Sequence, residues 1–147
     1  MNQPIDSQDA VVTARELEGA ERMAALSKHF GSQGLRVEQY VYAIMRAQAK
    51  EYQGGYWEYF ELSNGGFYMA PAHGEDFTCG VPSNGYHGKM SADAAGITAC
   101  LFTFSHLSFA LDGVDADGCE KVAEHYHLLL DFACNHAEAR EILSAID

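Results

Sequence analysis

The run from Tyr56 to Pro71 limits the architecture of this chain more than any other stretch. Two aromatic-rich segments, Tyr56-Trp57-Glu58-Tyr59-Phe60-Glu61-Leu62 and Phe67-Tyr68-Met69-Ala70-Pro71, are separated by Ser63-Asn64-Gly65-Gly66. Aromatic side chains suit a pleated, half-buried surface, and Asn-Gly between two such segments predicts a β-hairpin. The turn expected for that pair is type I′, which needs positive φ at both central residues. Alternation then puts Trp57, Tyr59 and Glu61 on one face of the first strand and Tyr56, Glu58, Phe60 and Leu62 on the other.

Around the hairpin the pattern is mostly helical. Apolar residues from Ala10 to about Lys28, among them Val12, Leu17, Met23 and Leu26, recur at roughly helical spacing and predict a first helix, broken at Phe30-Gly31-Ser32-Gln33-Gly34. A second helix is expected from about Arg36 to Tyr52, stopped by Gly54-Gly55. A third strand is expected at Phe77 to Val81, and Pro82 to Lys89, rich in Gly, Ser and Asn, reads as an irregular loop. Ser91 is a candidate N-cap for an apolar helix that runs to Leu111 and is interrupted only by His106 and small hydroxyl residues. An acidic break at Asp112 to Gly118 leads into a final helical region from Cys119 to Ile146, with a split near Asn135. These elements predict a single α+β domain over residues 10–147, several helices packed on a small antiparallel sheet built around the hairpin, behind a loose tail at Met1 to Asp9.

A chain of 147 residues with 48% hydrophobic composition is long enough for one core and apolar enough to fill it. No run of about 18 purely apolar residues occurs, and Met1-Asn2-Gln3-Pro4-Ile5-Asp6 lacks the basic and apolar regions of a signal peptide, so a cytoplasmic protein with no membrane partner is expected. Cys79, Cys100, Cys119 and Cys134 are widely spaced and read as reduced thiols, and no close Cys or His pair has zinc-ligand spacing. Asp112, Asp115, Asp117 and Glu120 cluster within nine residues, yet no register places calcium ligands at the first, third and fifth positions of an EF-hand loop. Gly54-Gly55 and Gly65-Gly66 lack the Lys and Ser/Thr of a phosphate loop, so no cofactor is expected.

Charge says more. Twenty-one acidic residues against nine basic ones give a net charge of −12, and the stretch from Glu51 to Glu120 holds ten acids and one base, Lys89. That balance opposes direct binding to nucleic acid and to anionic lipid. It fits a soluble surface, and also a surface that meets a basic partner.

The run Tyr52-Gln53-Gly54-Gly55-Tyr56-Trp57-Glu58-Tyr59-Phe60-Glu61-Leu62-Ser63-Asn64-Gly65-Gly66-Phe67-Tyr68-Met69-Ala70-Pro71 resembles the signature of the ArdB/KlcA antirestriction family of plasmids and other mobile elements. A second block, Asn84-Gly85-Tyr86-His87-Gly88 with Met90-Ser91-Ala92-Asp93-Ala94-Ala95-Gly96-Ile97, is similar to the family's as well. The resemblance implies inhibition of host type I restriction–modification enzymes through a protein partner, by binding and without catalysis. Full imitation of DNA does not follow: a domain of this length is about 38 Å across, duplex DNA of that length carries roughly 22 charges, and −12 spread over all faces falls short. Candidate partner contacts are the acids Glu75, Asp76, Asp112, Asp115 and Asp117 and the loop residues Asn84, Tyr86 and His87. A second reading is a small enzyme or ligand-binding protein with a cleft near Cys79, His73 and His87.

Overall fold

A computed structural model describes residues 10–147, so the tail expected at Met1 to Asp9 lies outside the described residues. In chain order the elements are β1 (Ala14–Leu17), α1 (Gly19–Phe30), α2 (Gly34–Gln48), β2 (Trp57–Leu62), β3 (Phe67–Pro71), β4 (Phe77–Val81), β5 (Tyr86–Met90), α3 (Ala92–Leu111), α4 (Ala116–Ala133) and α5 (Ala139–Ile146), with a 3-10 turn at Gly31–Gln33. The fold is α+β, but its strands form two antiparallel sheets, β1-β2-β3 and β4-β5.

Helix α3 joins everything else. Ser91 caps it by accepting the Ala94 N–H at 3.1 Å, and thirteen of its residues, from Ala92 to Leu111, are buried. By length and composition it could cross a membrane, yet it is mostly buried within the protein, as a helix apolar all round must be when packed from every side. It lies directly on β3: a Cβ on Gly96 would stand 2.5 Å from the Ala70 Cβ and 2.6 Å from the Met69 carbonyl oxygen. Only glycine allows that approach.

The hairpin is present with its strands as expected, and its turn differs. Leu62 and Gly66 close it, with the Leu62 N–H donating to the Gly66 carbonyl at 2.8 Å and the Gly65 N–H to the Leu62 carbonyl at 2.9 Å. Gly65 takes φ +94°, while no described non-glycine residue has positive φ, so Asn64 is right-handed. The loop is therefore three residues, a type I turn followed by a left-handed glycine, and not type I′. Asn64 is spent on anchoring: its Oδ1 accepts the Gly66 N–H at 3.0 Å and its Nδ2 donates to the Leu128 carbonyl on α4 at 3.0 Å. Phe67 through Pro71 are all buried.

Three other expectations need correction. The first helix does not begin at Ala10: Ala14–Leu17 is a strand on the edge of β2, with Arg15 opposite Glu61 and Leu17 opposite Tyr59. Helical spacing there was real, but the ladder and a 3.2 Å Arg15–Glu61 ion pair outweigh local propensity, and Gly19 at φ +57° starts the helix. The second helix ends at Gln48 and not at Tyr52, because Ala49 turns extended to bridge Cys79 and the Lys50 N–H donates to the Thr78 carbonyl at 2.9 Å. Residues Tyr86 to Lys89 of the expected loop, together with Met90, form β5, paired with β4 through Cys79 opposite Gly88 and Phe77 opposite Met90. The split of the last helical region between Ala133 and Ala139 is as expected.

Two core histidines were not foreseen. His29 and His125 meet edge to face at 5.0 Å between Phe30, Phe67 and Phe104. His29 Nε2 lies 2.7 Å from Glu61, whereas His125 Nδ1 is buried with no hydrogen-bond partner among the described residues. Burial, and then the neighbouring His29, press the His125 pKa down to about 4, and burial also lowers that of His29 against the pull of Glu61.

Replacing Gly65 by Val puts a β-branched residue at φ +94° with nothing within 4 Å of its Cβ, so the cost is conformational, about 1–2 kcal/mol, and reads as a lower Tm. An unchanged Tm would contradict the turn assigned here. A folded-state His pKa below its ordinary value means the unfolded chain takes up the proton first as pH falls. The stability tied to His125 is then complete above about pH 6.5 and is lost towards pH 4, about 2 kcal/mol of it by pH 5. Urea titrations at pH 7.5 and pH 5 measure this, and His125→Gln should lose less between the two.

Candidate partner-binding surface

The candidate acids fall into two groups. Glu75 and Asp76 stand exposed on the turn from β3 to β4, pinned by His73, whose Nδ1 lies 2.9 Å from the Glu75 carbonyl oxygen and whose ring packs 4.5 Å from Phe77. Ala70, Pro71 and His73 share a cavity of about 340 Å³ with Glu58 and with Ser91 and Asp93 at the start of α3. Asp112, Asp115 and Asp117 lie past its other end. A helix of 20 residues spans about 30 Å, so the two groups do not form one patch.

Within the second group the acids do different jobs. Asp115 caps α4 by accepting the Gly118 N–H at 3.1 Å and also accepts from Gln33 Nε2 at 2.8 Å. The Gln33 hydrogen bond, then that of Gly118, hold its carboxyl below the usual range. Asp117 pairs with Lys121 at 2.6 Å on the surface, an interaction worth little. Asp112 is exposed.

The loop residues divide similarly. Asn84 Nδ2 donates to the carbonyls of Ala145 at 2.8 Å and Asp147 at 2.9 Å, and its Oδ1 accepts the Tyr86 N–H at 2.9 Å. The Tyr86 hydroxyl donates to Glu141 on α5. These two side chains clamp α5 to the second sheet; Tyr86 is half-buried, while Asn84 and His87 are exposed, and of the three only His87 is not committed to that clamp.

Cys79, His73 and His87 do not assemble into a nucleophile and base. Cys79 and His87 border one groove of about 300 Å³, while His73 belongs to the separate cavity beside Asp93. The Cys79 side chain is 5% exposed, and burial, followed by the charge of Glu51, pushes its thiol up to about 11. Among the described residues its thiol finds one hydrogen-bond acceptor, the Phe77 carbonyl at 4.0 Å.

Two polar clusters escaped sequence reasoning. Glu61 receives Arg15 at 3.2 Å, Lys28 at 2.8 Å and His29 at 2.7 Å, joining β1, α1 and β2, and these contacts, led by Lys28, lower its carboxyl. Asp93 accepts from the Tyr68 hydroxyl at 2.7 Å and from His136 Nε2 at 2.8 Å, while Glu138 accepts the Ser91 N–H at 2.8 Å. The His136 tautomer follows from its other nitrogen, which accepts the Glu138 N–H at 2.9 Å. Only the acidic first turn after Ser91 hinted at either cluster.

Residues 50–147 match the family profile described as antirestriction protein. Over 144 residues the chain is 42% identical to an antirestriction protein KlcA of Escherichia coli, covering 97% of this chain and all of that one. It is 33% identical to the uncharacterized protein YfjX of Escherichia coli K12, over 98% of this chain and 93% of that one. A solved structure described as showing, for KlcA and ArdB, "a novel fold and antirestriction activity against Type I DNA restriction systems in vivo but not in vitro" superposes with a TM-score of 0.84 at 42% identity, covering 92% of this chain and 95% of the other.

The raised Cys79 pKa leaves very little thiolate at neutral pH. Iodoacetamide at pH 7.5 should modify Cys79 roughly a hundredfold more slowly than an ordinary exposed thiol, with the exposed Cys134 labelled first in a mass-spectrometric time course.

Proposed function

Because the chain belongs to the antirestriction protein family, we propose that it inhibits host type I restriction–modification enzymes and so protects incoming mobile DNA. The observation that carries this reading is near full-length similarity, in sequence and fold together, to relatives with activity against type I systems. It acts by binding a protein partner and not by catalysis. The buried, proton-holding Cys79 and its separation from His73 support that half of the reading.

KlcA and ArdB act in vivo but not in vitro. Inhibition that depends on a further component of the cell accounts for that difference better than capture of the purified enzyme does. The proposed contacts on this chain are the exposed side chains Glu75, Asp76, Asp112, Asp117 and His87. Asn84, Tyr86 and Asp115 support them by fixing the loops on which they stand. Since the acids lie at two ends of α3, a partner engages them as separate contacts or uses one group alone.

The test is the plating of unmodified phage on strains that have or lack a type I system, with and without the protein. Expression should raise plating on the restricting strain only, and equal plating at confirmed soluble expression would overturn the proposal. Replacing Glu75, Asp76, Asp112 and Asp117 by Gln or Asn, with Asp115 kept, should weaken protection while Tm stays within about 2 °C, since exposed charges add little to folding. A folded variant that protects in full would show that these acids serve solubility alone.

A further inference from the structure

In a chain with 21 acids and nine bases, one groove is lined by cations. Arg46 on the last turn of α2, Lys50 just past it and His87 on β5 border the same groove of about 300 Å³, whose floor is Thr78 and Gly80 on β4. All three are exposed, and neither Arg46 nor Lys50 makes an ion pair among the described residues. Lys89 adds a fourth basic side chain on the same sheet face as His87, two residues along β5 and opposite Thr78. One acid stands nearby: Glu51 accepts the Thr78 N–H at 2.6 Å and the Thr78 hydroxyl at 2.7 Å, so its position is fixed by β4 and not by the cations.

The groove is also rigid. The Lys50 N–H donates to the Thr78 carbonyl at 2.9 Å, and Ala49 bridges Cys79, which fastens the end of α2 to β4. Tyr52 forms a wall, its hydroxyl accepting the Trp57 indole N–H at 3.0 Å. Arg46 and Lys50 thus border one groove without an ion pair among the described residues, so an anion in the groove would meet both charges.

We propose that this groove binds a small phosphate-bearing ligand of nucleotide size, independently of the antirestriction reading. An arginine fork beside a lysine and a histidine matches the charge and the several acceptor oxygens of a phosphate better than a single carboxylate does. The volume lies at the lower end of small-ligand pockets, enough for a phosphate and what it is attached to. A long polyanion is disfavoured, because beyond the groove it would run along a surface that is negative overall.

The experiment is an amide NMR titration of the full chain at low ionic strength with three probes: inorganic phosphate, AMP and single-stranded oligothymidylate. Saturable shifts at Lys50, Gly80 and His87 are expected with phosphate and AMP, with AMP the tighter. Arg46→Gln and Lys50→Gln, each alone and together, should weaken AMP, the double variant about tenfold or more, as loss of charge-assisted hydrogen bonds requires. Arg36→Gln, an equal charge change at the far end of α2, should leave the affinity within about twofold. All three substituted sites are exposed, and an otherwise unchanged spectrum verifies the fold of each variant. Absence of saturation, equal weakening by Arg36→Gln, or tighter binding of oligothymidylate than of AMP would each overturn the proposal.

Discussion

Everything in this molecule is arranged about the contact of α3 with β3. At Ala70 and Gly96 the helix and the strand meet without an intervening side chain, and Cys100 one turn further on points its thiol at the Met69 carbonyl, 3.6 Å away. Close approach of this kind maximises dispersion contact along both elements but tolerates no added atom. It explains why the two aromatic and glycine-rich blocks, well apart in the chain, work as one unit. Tyr68 of the first donates to Asp93 of the second, Ala70 of the first sits under Gly96 of the second, and Asn64 reaches beyond both to α4.

Much of this was legible in the sequence because it is written in local chemistry. The aromatic strands, the Ser91 cap, the all-round apolar helix and the breaks at Gly31 and from Asp112 to Asp115 each follow from neighbours in the chain, although α4 begins at Ala116, inside the break expected to last until Gly118. What escaped was set by distant residues. Ala14 to Leu17 is a strand only because β2 offers it an edge and Glu61 offers Arg15 a partner. The second sheet was half seen, since β5 alternates Tyr86, Gly88 and Met90 inward with only Met90 fully buried, too weak an apolar pattern to stand out from a glycine-rich loop. Of the candidate contacts, Asn84, Tyr86 and Asp115 looked like free loop polarity, yet their partners lie 61, 55 and 82 residues away. No reading of spacing reaches that far.

The distribution of charge refines the functional picture. The acids do not build a continuous imitation of a duplex: the candidate contacts stand at the two ends of a buried helix, and Glu61 and Asp93 tie elements together. Cations are equally divided in purpose. Arg15 and Lys28 hold β1 and α1 to β2, Arg22 lies 4.1 Å over the Tyr59 ring, and Arg46 and Lys50 remain facing water. A net charge of −12 therefore describes long-range repulsion, while the place of each charged side chain is set by the fold.

The two sheets share no ladder, and this bears on how the protein comes apart. The hairpin sheet is seated on α3 through backbone contact, whereas β4 and β5 bury Phe77, Cys79, Val81 and Met90 in the same core and are tied further by polar links to the end of the chain, Asn84 to Ala145 and Tyr86 to Glu141, and by the bridge at Ala49. Local opening starts where buried contacts are fewest, and β5, with Met90 alone of its five residues buried, has the fewest of the strands in that sheet. Its amides would exchange with solvent ahead of those on α3. Proteases act on segments freed in this way, so cleavage of the folded protein would begin at β5 and the loop before it, ahead of the core.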